Sequence, residues 1–180
     1  MGVTYTEGSD VATLEPRELS ARLEGVVAAA MVWLQKLSDA QASVPEHEGK
    51  WSAKQLIGHL TDSAINNLGR IVRMQIASGL KLQGYEQEEW VALQHYAERE
   101  WSKVLEVWAV LNGQVAWAVA HVDKAKLGDK AEVEGSELTL GFLIEDYIAH
   151  MEHHLRAMWG WLTDWGRAVS NKVDAEDDSK

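Results

Sequence analysis

Cysteine is absent from the 180 residues. That single absence excludes disulfides, thiolate metal ligands and a cysteine nucleophile. Basic residues are scarce, 17 Lys and Arg against 28 Asp and Glu, leaving a formal net charge of −11. Phosphate backbones are held by clustered Lys and Arg, so nucleic acid is not an expected partner. No apolar run approaches the ~20 residues that span a bilayer, so no membrane partner is expected either. The N-terminus has neither a basic lead nor an apolar h-region, which argues against a secretory signal and makes the cytoplasm the expected compartment. Met1-Gly-Val-Thr-Tyr-Thr6 fits the loose N-myristoylation pattern, but six residues carry too little information to count. Strand-period alternation and internal repeats are missing as well.

What the chain does have is helical periodicity. Pro16 suits the first turn of a helix, and Leu19, Leu23, Val26, Val27, Ala30, Leu34 and Leu37 then trace one face. Pro45 and the polar residues after it end that helix. Ser52-Ala-Lys-Gln55 reads as a capping box. It opens a second helix carrying Leu56, Leu60, Ala64, Leu68, Ile71 and Val72. Gly79 and Gly84 punctuate a loop. A third segment runs from about Glu88, with Trp101, Val104, Leu105, Trp108 and Leu111 on its apolar side, and Asn112-Gly113 either kinks or divides it. Residues 123–136 are polar and read as a surface connection. A fourth helix starts near Leu138 and ends around Gly166. The expected organisation is an N-terminal extension over 1–14, one domain over 15–166, and an acidic, disordered tail over 167–180. Four amphipathic helices of this length predict an all-α four-helix bundle, whose interior is a common place for a metal site. The nine tryptophans read as large core and interface residues.

The most informative run is His150-Met-Glu-His-His154. Residues four apart share a helix face, so the imidazoles of His150 and His154 can close on one ion. Leu140, Leu143, Tyr147, Met151, Met158, Trp161 and Trp165 mark the core side of this helix, and both histidines fall in phase with it. Inward-facing histidines need polar partners, because unpaired buried polar groups are costly. A metal supplies them; hydrogen bonds at the edge of the core are the other way to satisfy the pair. Catalytic zinc-type sites usually take three protein ligands and keep one position open. The third candidate is His59 in the second helix, where His59, Asp62, Ser63, Asn66 and Arg70 form a polar stripe. Asp62 or Asn66 could hydrogen-bond a ligand imidazole and fix its tautomer. Asp62 is also the candidate for proton transfer. His153 lies about sixty degrees off His150 around the helix and should flank the site. His47, His95 and His121 read as surface residues. Arg70 and Arg73 are either anchors for an anionic group or solvated helix charges.

Trp51-Ser-Ala-Lys-Gln-Leu-Ile-Gly-His-Leu-Thr-Asp-Ser-Ala-Ile-Asn-Asn-Leu-Gly-Arg70 resembles the second-helix signature of the DinB-like superfamily, in its YfiT-like branch. Leu140-Gly-Phe-Leu-Ile-Glu-Asp-Tyr-Ile-Ala-His-Met-Glu-His-His-Leu155 is similar to that branch's last helix, and Gly84-Tyr-Glu-Gln-Glu-Glu-Trp90 to its loop between helices two and three. The resemblance covers roughly residues 15–165. It implies a DinB-like four-helix bundle, often a homodimer, with a divalent ion, typically zinc or nickel, held by three histidines. By position those ligands fall on His59, His150 and His154. Members of the family include thiol-dependent S-transferases and isomerases that use low-molecular-weight thiols, and proteins regarded as metal-dependent hydrolases. The implied function is metal-dependent transfer of a small thiol to a small electrophilic substrate, or hydrolysis of one. The alternative is a non-catalytic bundle, stapled by its metal, that acts as a dimeric structural or binding module. A fourth protein ligand such as Asp62 would favour that alternative.

Overall fold

The computed structural model describes the backbone over residues 4–177 and side chains over residues 4–163. Four helices build the bundle: α1 (Pro16–Leu34), α3 (Ala53–Ile76), α5 (Trp101–Ala120) and α6 (Leu140–Asp177), with α2 (Asp39–Ala42) and α4 (Gln87–Leu93) in the connections. Pro16 sits in the first turn of α1, where a missing N–H costs no helical hydrogen bond. The capping box at the start of α3 is formed, with Ser52 accepting from the Gln55 N–H and the Gln55 side chain accepting from the Ser52 N–H. A second capping box, Ser38 with Gln41, opens α2.

Leu23, Leu34, Ile57, Leu60, Ile71, Met74, Trp108, Ile144, Ile148 and Met151 are fully buried between the four long helices. Each contributes on the order of 1.5–3 kcal/mol by leaving water. Trp101 and Trp108 belong to this core, whereas Trp117 and Trp159 are exposed. Two polar ties cross the helix packing. Asn112, buried on α5, accepts from the Tyr147 hydroxyl of α6 and donates to the Trp108 carbonyl. Ser20 of α1 donates to the Ala116 carbonyl of α5.

Three expectations are corrected here. The long third segment is divided, but at His95 rather than at Asn112-Gly113. His95 takes a left-handed backbone conformation (φ 53°), which ends α4, and α5 then runs unbroken through Gly113. The loop punctuated by Gly79 and Gly84 and the connection over 123–136 both supply strands: β1 (Leu80–Leu82) pairs in parallel with β2 (Lys130–Val133), which pairs antiparallel with β3 (Ser136–Thr139). Glu134 and Gly135 both have positive φ, the requirement of a two-residue type I′ hairpin turn. Lastly, α6 continues past Gly166 to Asp177. An isolated glycine costs a helix only about 1 kcal/mol and no proline follows it. The expected acidic tail over 167–180 is therefore helical to Asp177, and residues 178–180 and the side chain of Trp165 lie outside the described residues. Among the described residues no helix is long and apolar enough to cross a membrane.

Candidate metal centre

His59 projects from the second turn of α3, and His150 and His154 from successive turns of α6, into the space between those helices. Their ligating nitrogens all lie within 4.8 Å of one another. His59 Nε2 and His150 Nε2 are 3.0 Å apart, and the three rings meet edge to face with centroids 4.6–5.1 Å apart. His59 is fully buried and His150 is 8% exposed; His154 is half-buried.

Burial decides the protonation state. It pushes His59 down to about 4, with the nearby His154 adding to the effect. His150 falls to about 2, first through burial and then through the other three histidines of the region. His154 falls to about 4, through burial and His153. At neutral pH the cluster therefore holds three uncharged imidazoles, the form that donates a lone pair to a metal. Among the described residues it is the one group of three or more metal-ligating side chains that converge in this way. His59 Nδ1, on the side of the ring away from His150, is buried and has no hydrogen-bond partner.

Asp62 does not join the three histidines and does not reach His59. Spacing of three keeps it on the same face of α3, but its carboxylate is engaged by the segment that follows α4. Its Oδ1 accepts from the Tyr96 hydroxyl at 2.7 Å and from the Gln94 amide, and burial holds its carboxyl above the usual range. Gly58 makes that arrangement possible, because a Cβ there would lie 2.2 Å from the Tyr96 ring. Asn66 donates to the Asp62 carbonyl, and so does not orient an imidazole either. His153 is exposed beside the cluster, and His47, His95 and His121 are exposed as expected.

A cavity of about 280 Å³ opens against His150. Ser63, Asn67 and Arg70 of α3, Tyr85, the hairpin residues Glu134 and Ser136, and Asp146 and Tyr147 of α6 contribute to its walls. Arg70 is largely buried, its side chain 13% exposed. It donates to the Gln83 carbonyl at 2.9 Å and lies 4.0 Å from Glu134. Arg73 is exposed, so the two arginines have different settings: one lines the cavity and the other is a solvated helix charge. The Tyr85 hydroxyl is pushed up to about 12, chiefly by burial. Tyr85 and Asp146 were not singled out from sequence. Asp146 had a signal, since it sits four residues before His150 on the same helix face. Tyr85 lies in a loop, where no periodicity marks it.

The family profile of the DinB superfamily matches residues 22–158. The chain belongs to the DinB superfamily. Its fold is similar to that of YfiT from Bacillus subtilis, described as a probable metal-dependent hydrolase with an unusual four-helix bundle topology. That likeness has a TM-score of 0.76 at 19% identity and covers 92% of each chain. The chain also resembles the mycothiol-dependent maleylpyruvate isomerase, with a TM-score of 0.67 and 11% identity over 82% of this chain and 62% of that one. No curated protein sequence matches. This DinB-superfamily chain thus has a YfiT-like four-helix bundle with three histidines gathered between α3 and α6.

Proposed function

We propose that this chain is an enzyme in which His59, His150 and His154 hold one divalent ion, zinc or nickel, beside a small substrate cavity. The observation that carries the reading is the convergence of three neutral imidazoles within 4.8 Å with no carboxylate among them. Three uncharged ligands leave the charge of such an ion unneutralised, and the chemistry it supplies is the lowering of a bound water's pKa or the holding of a small thiol as thiolate. The donor set fits: three imidazole nitrogens converge, and the rings need no proton loss at neutral pH to donate their lone pairs.

The protein's own residues supply the rest. The cavity against His150 gives a substrate a place to sit, which favours an open site over a metal staple. Asp62, tied to Tyr96 and Gln94, is not a fourth ligand and is better read as positioning the α4 segment than as transferring a proton. Arg70 presents a buried cation to the cavity, suited to an anionic part of a substrate or of a low-molecular-weight thiol. The reaction class we assign is thiol transfer to, or hydrolysis of, a small electrophile.

The test is metal content by mass spectrometry on tag-free protein, with His59→Ala and His154→Ala alongside. About one divalent ion per chain, lost in both variants, is expected. No metal after incubation with zinc or nickel would refute the reading.

A further inference from the structure

The residues ahead of α1 do not trail away from the bundle. Ser9 uses its N–H and its hydroxyl on the two oxygens of Glu145, at 2.8 and 2.7 Å. Tyr5 and Thr6 both donate backbone N–H groups to Asp146 Oδ1, at 2.5 and 3.2 Å. Between these anchors the chain turns at Gly8, whose φ is +76° and where a Cβ would lie 2.6 Å from the Phe142 ring. Downstream, Leu14 is buried close against Gly141. The segment is thus fixed at its α1 end and held across α6 by one further carboxylate, Asp146.

What that carboxylate places is the Tyr5 ring. Its centroid lies 4.8 Å from His150, 5.2 Å from His153 and 6.1 Å from His154. Thr4 and Tyr5 also line the cavity that opens against His150. One side chain therefore covers two of the three converging histidines and walls the space a substrate would enter.

We propose that Thr4–Ser9 is a lid over the three-histidine site and that Tyr5 is its gate, a specificity-determining residue that limits what reaches the His150 face, with Asp146 as the positioning residue that holds it closed. The proposal concerns access to the same site and rests on the metal-centre reading only for what is admitted, a small electrophile or thiol. The backbone of a segment held by side-chain carboxylates alone, outside any helix or strand ladder, opens at lower cost than the bundle it covers. An aromatic ring on such a segment excludes bulky solutes when closed and clears the site when it swings away.

Two measurements on the full chain test this, one of them independent of metal. The first is diethyl pyrocarbonate modification of the metal-free protein, mapped by peptide mass spectrometry, with the exposed His47 and His121 as internal references. In Tyr5→Ala and Asp146→Ala, modification of His150 and His154 should rise about tenfold relative to the references. Tyr5→Phe, which keeps the ring, should stay within about twofold of wild type. The second is the rate at which EDTA strips zinc from loaded protein. It should accelerate in Tyr5→Ala and not in Tyr5→Phe, with the zinc content before stripping unchanged. Unaltered His150 and His154 modification in Tyr5→Ala, with the circular dichroism of wild type, would overturn the proposal whatever Asp146→Ala does. A chain that takes up no zinc but shows the Tyr5-dependent modification would defeat the metal reading and leave the lid standing.

Discussion

At the residue scale the site separates side chains that adjoin one another in sequence. His153 and His154 are neighbours, yet His153 faces solvent and His154 turns toward His59 and His150. Replacing His153 with Ala should therefore leave the metal content near that of wild type. His150→Ala should abolish it, because two ligands do not close a tetrahedral site. Elemental analysis of the two variants decides this, and equal retention in both would remove His150 from the ligand set. Gly58 makes a second residue-scale case. Its helix interior position costs about 1 kcal/mol relative to alanine, which is recovered because the Tyr96 ring packs where a Cβ would be. Gly58→Ala should thus destabilise the protein, by about 1–3 kcal/mol through overpacking, instead of stabilising it as an added alanine in a helix ordinarily does. Urea unfolding of the variant reads the sign directly.

Among the elements, α6 contributes most to the candidate site: His150 and His154, the carboxylates Glu145 and Asp146 that hold the proposed lid, and Tyr147, whose hydroxyl is bonded to Asn112 of α5. Tyr147→Phe leaves the buried Asn112 Oδ1 without that donor. The loss should be about 1–3 kcal/mol of stability, the cost of an unsatisfied buried acceptor, with metal binding kept. A denaturation midpoint equal to wild type would mean the pair contributes nothing. The core face of α6 was legible in the sequence because apolar residues recurring at three and four positions have one geometric reading, and Leu140, Leu143, Tyr147, Met151 and Met158 are all buried. The histidines could be placed by the same phase. The small sheet was not legible. Its strands are three and four residues long, too short for alternation to stand out, and its turn is Glu134-Gly135 in place of the usual Asn-Gly. The lid was not legible either. It is held by backbone N–H groups on carboxylates, a kind of contact that leaves no period in the sequence. The pairing of Asp62 with His59 failed for a third reason: it was read along one helix, whereas the carboxylate's partners, Gln94 and Tyr96, arrive from the α4 segment.

For the whole molecule, gathering three histidines in the interior links folding to pH. In the unfolded chain each imidazole takes up a proton near its ordinary value of about 6.5. In the metal-free fold His59 and His154 resist protonation until about 4 and His150 until about 2. Below about pH 6.5 the unfolded state therefore binds more protons than the native one, and stability must fall as the solution is acidified. Buried Asp62 and Asp146 act the other way. Both are held above the ordinary carboxylate range by desolvation, so the native state favours their protonation as the pH falls, but two carboxyls offset at most two protons against the three that the unfolded imidazoles take up, and the net slope keeps the sign of the histidines. Urea denaturation of the metal-free chain should accordingly give a midpoint that drops from pH 7.5 to 6.5 only slightly and then steeply to pH 5. Zinc should raise the unfolding free energy most at the upper end of that range, by about 2.7 kcal/mol at a free concentration 100 times its dissociation constant, and progressively less as protons compete for the same nitrogens. A midpoint that holds level or climbs on acidification to pH 5 would mean that the three rings are not buried together in solution, and the metal centre would lose its physical basis along with the pH dependence.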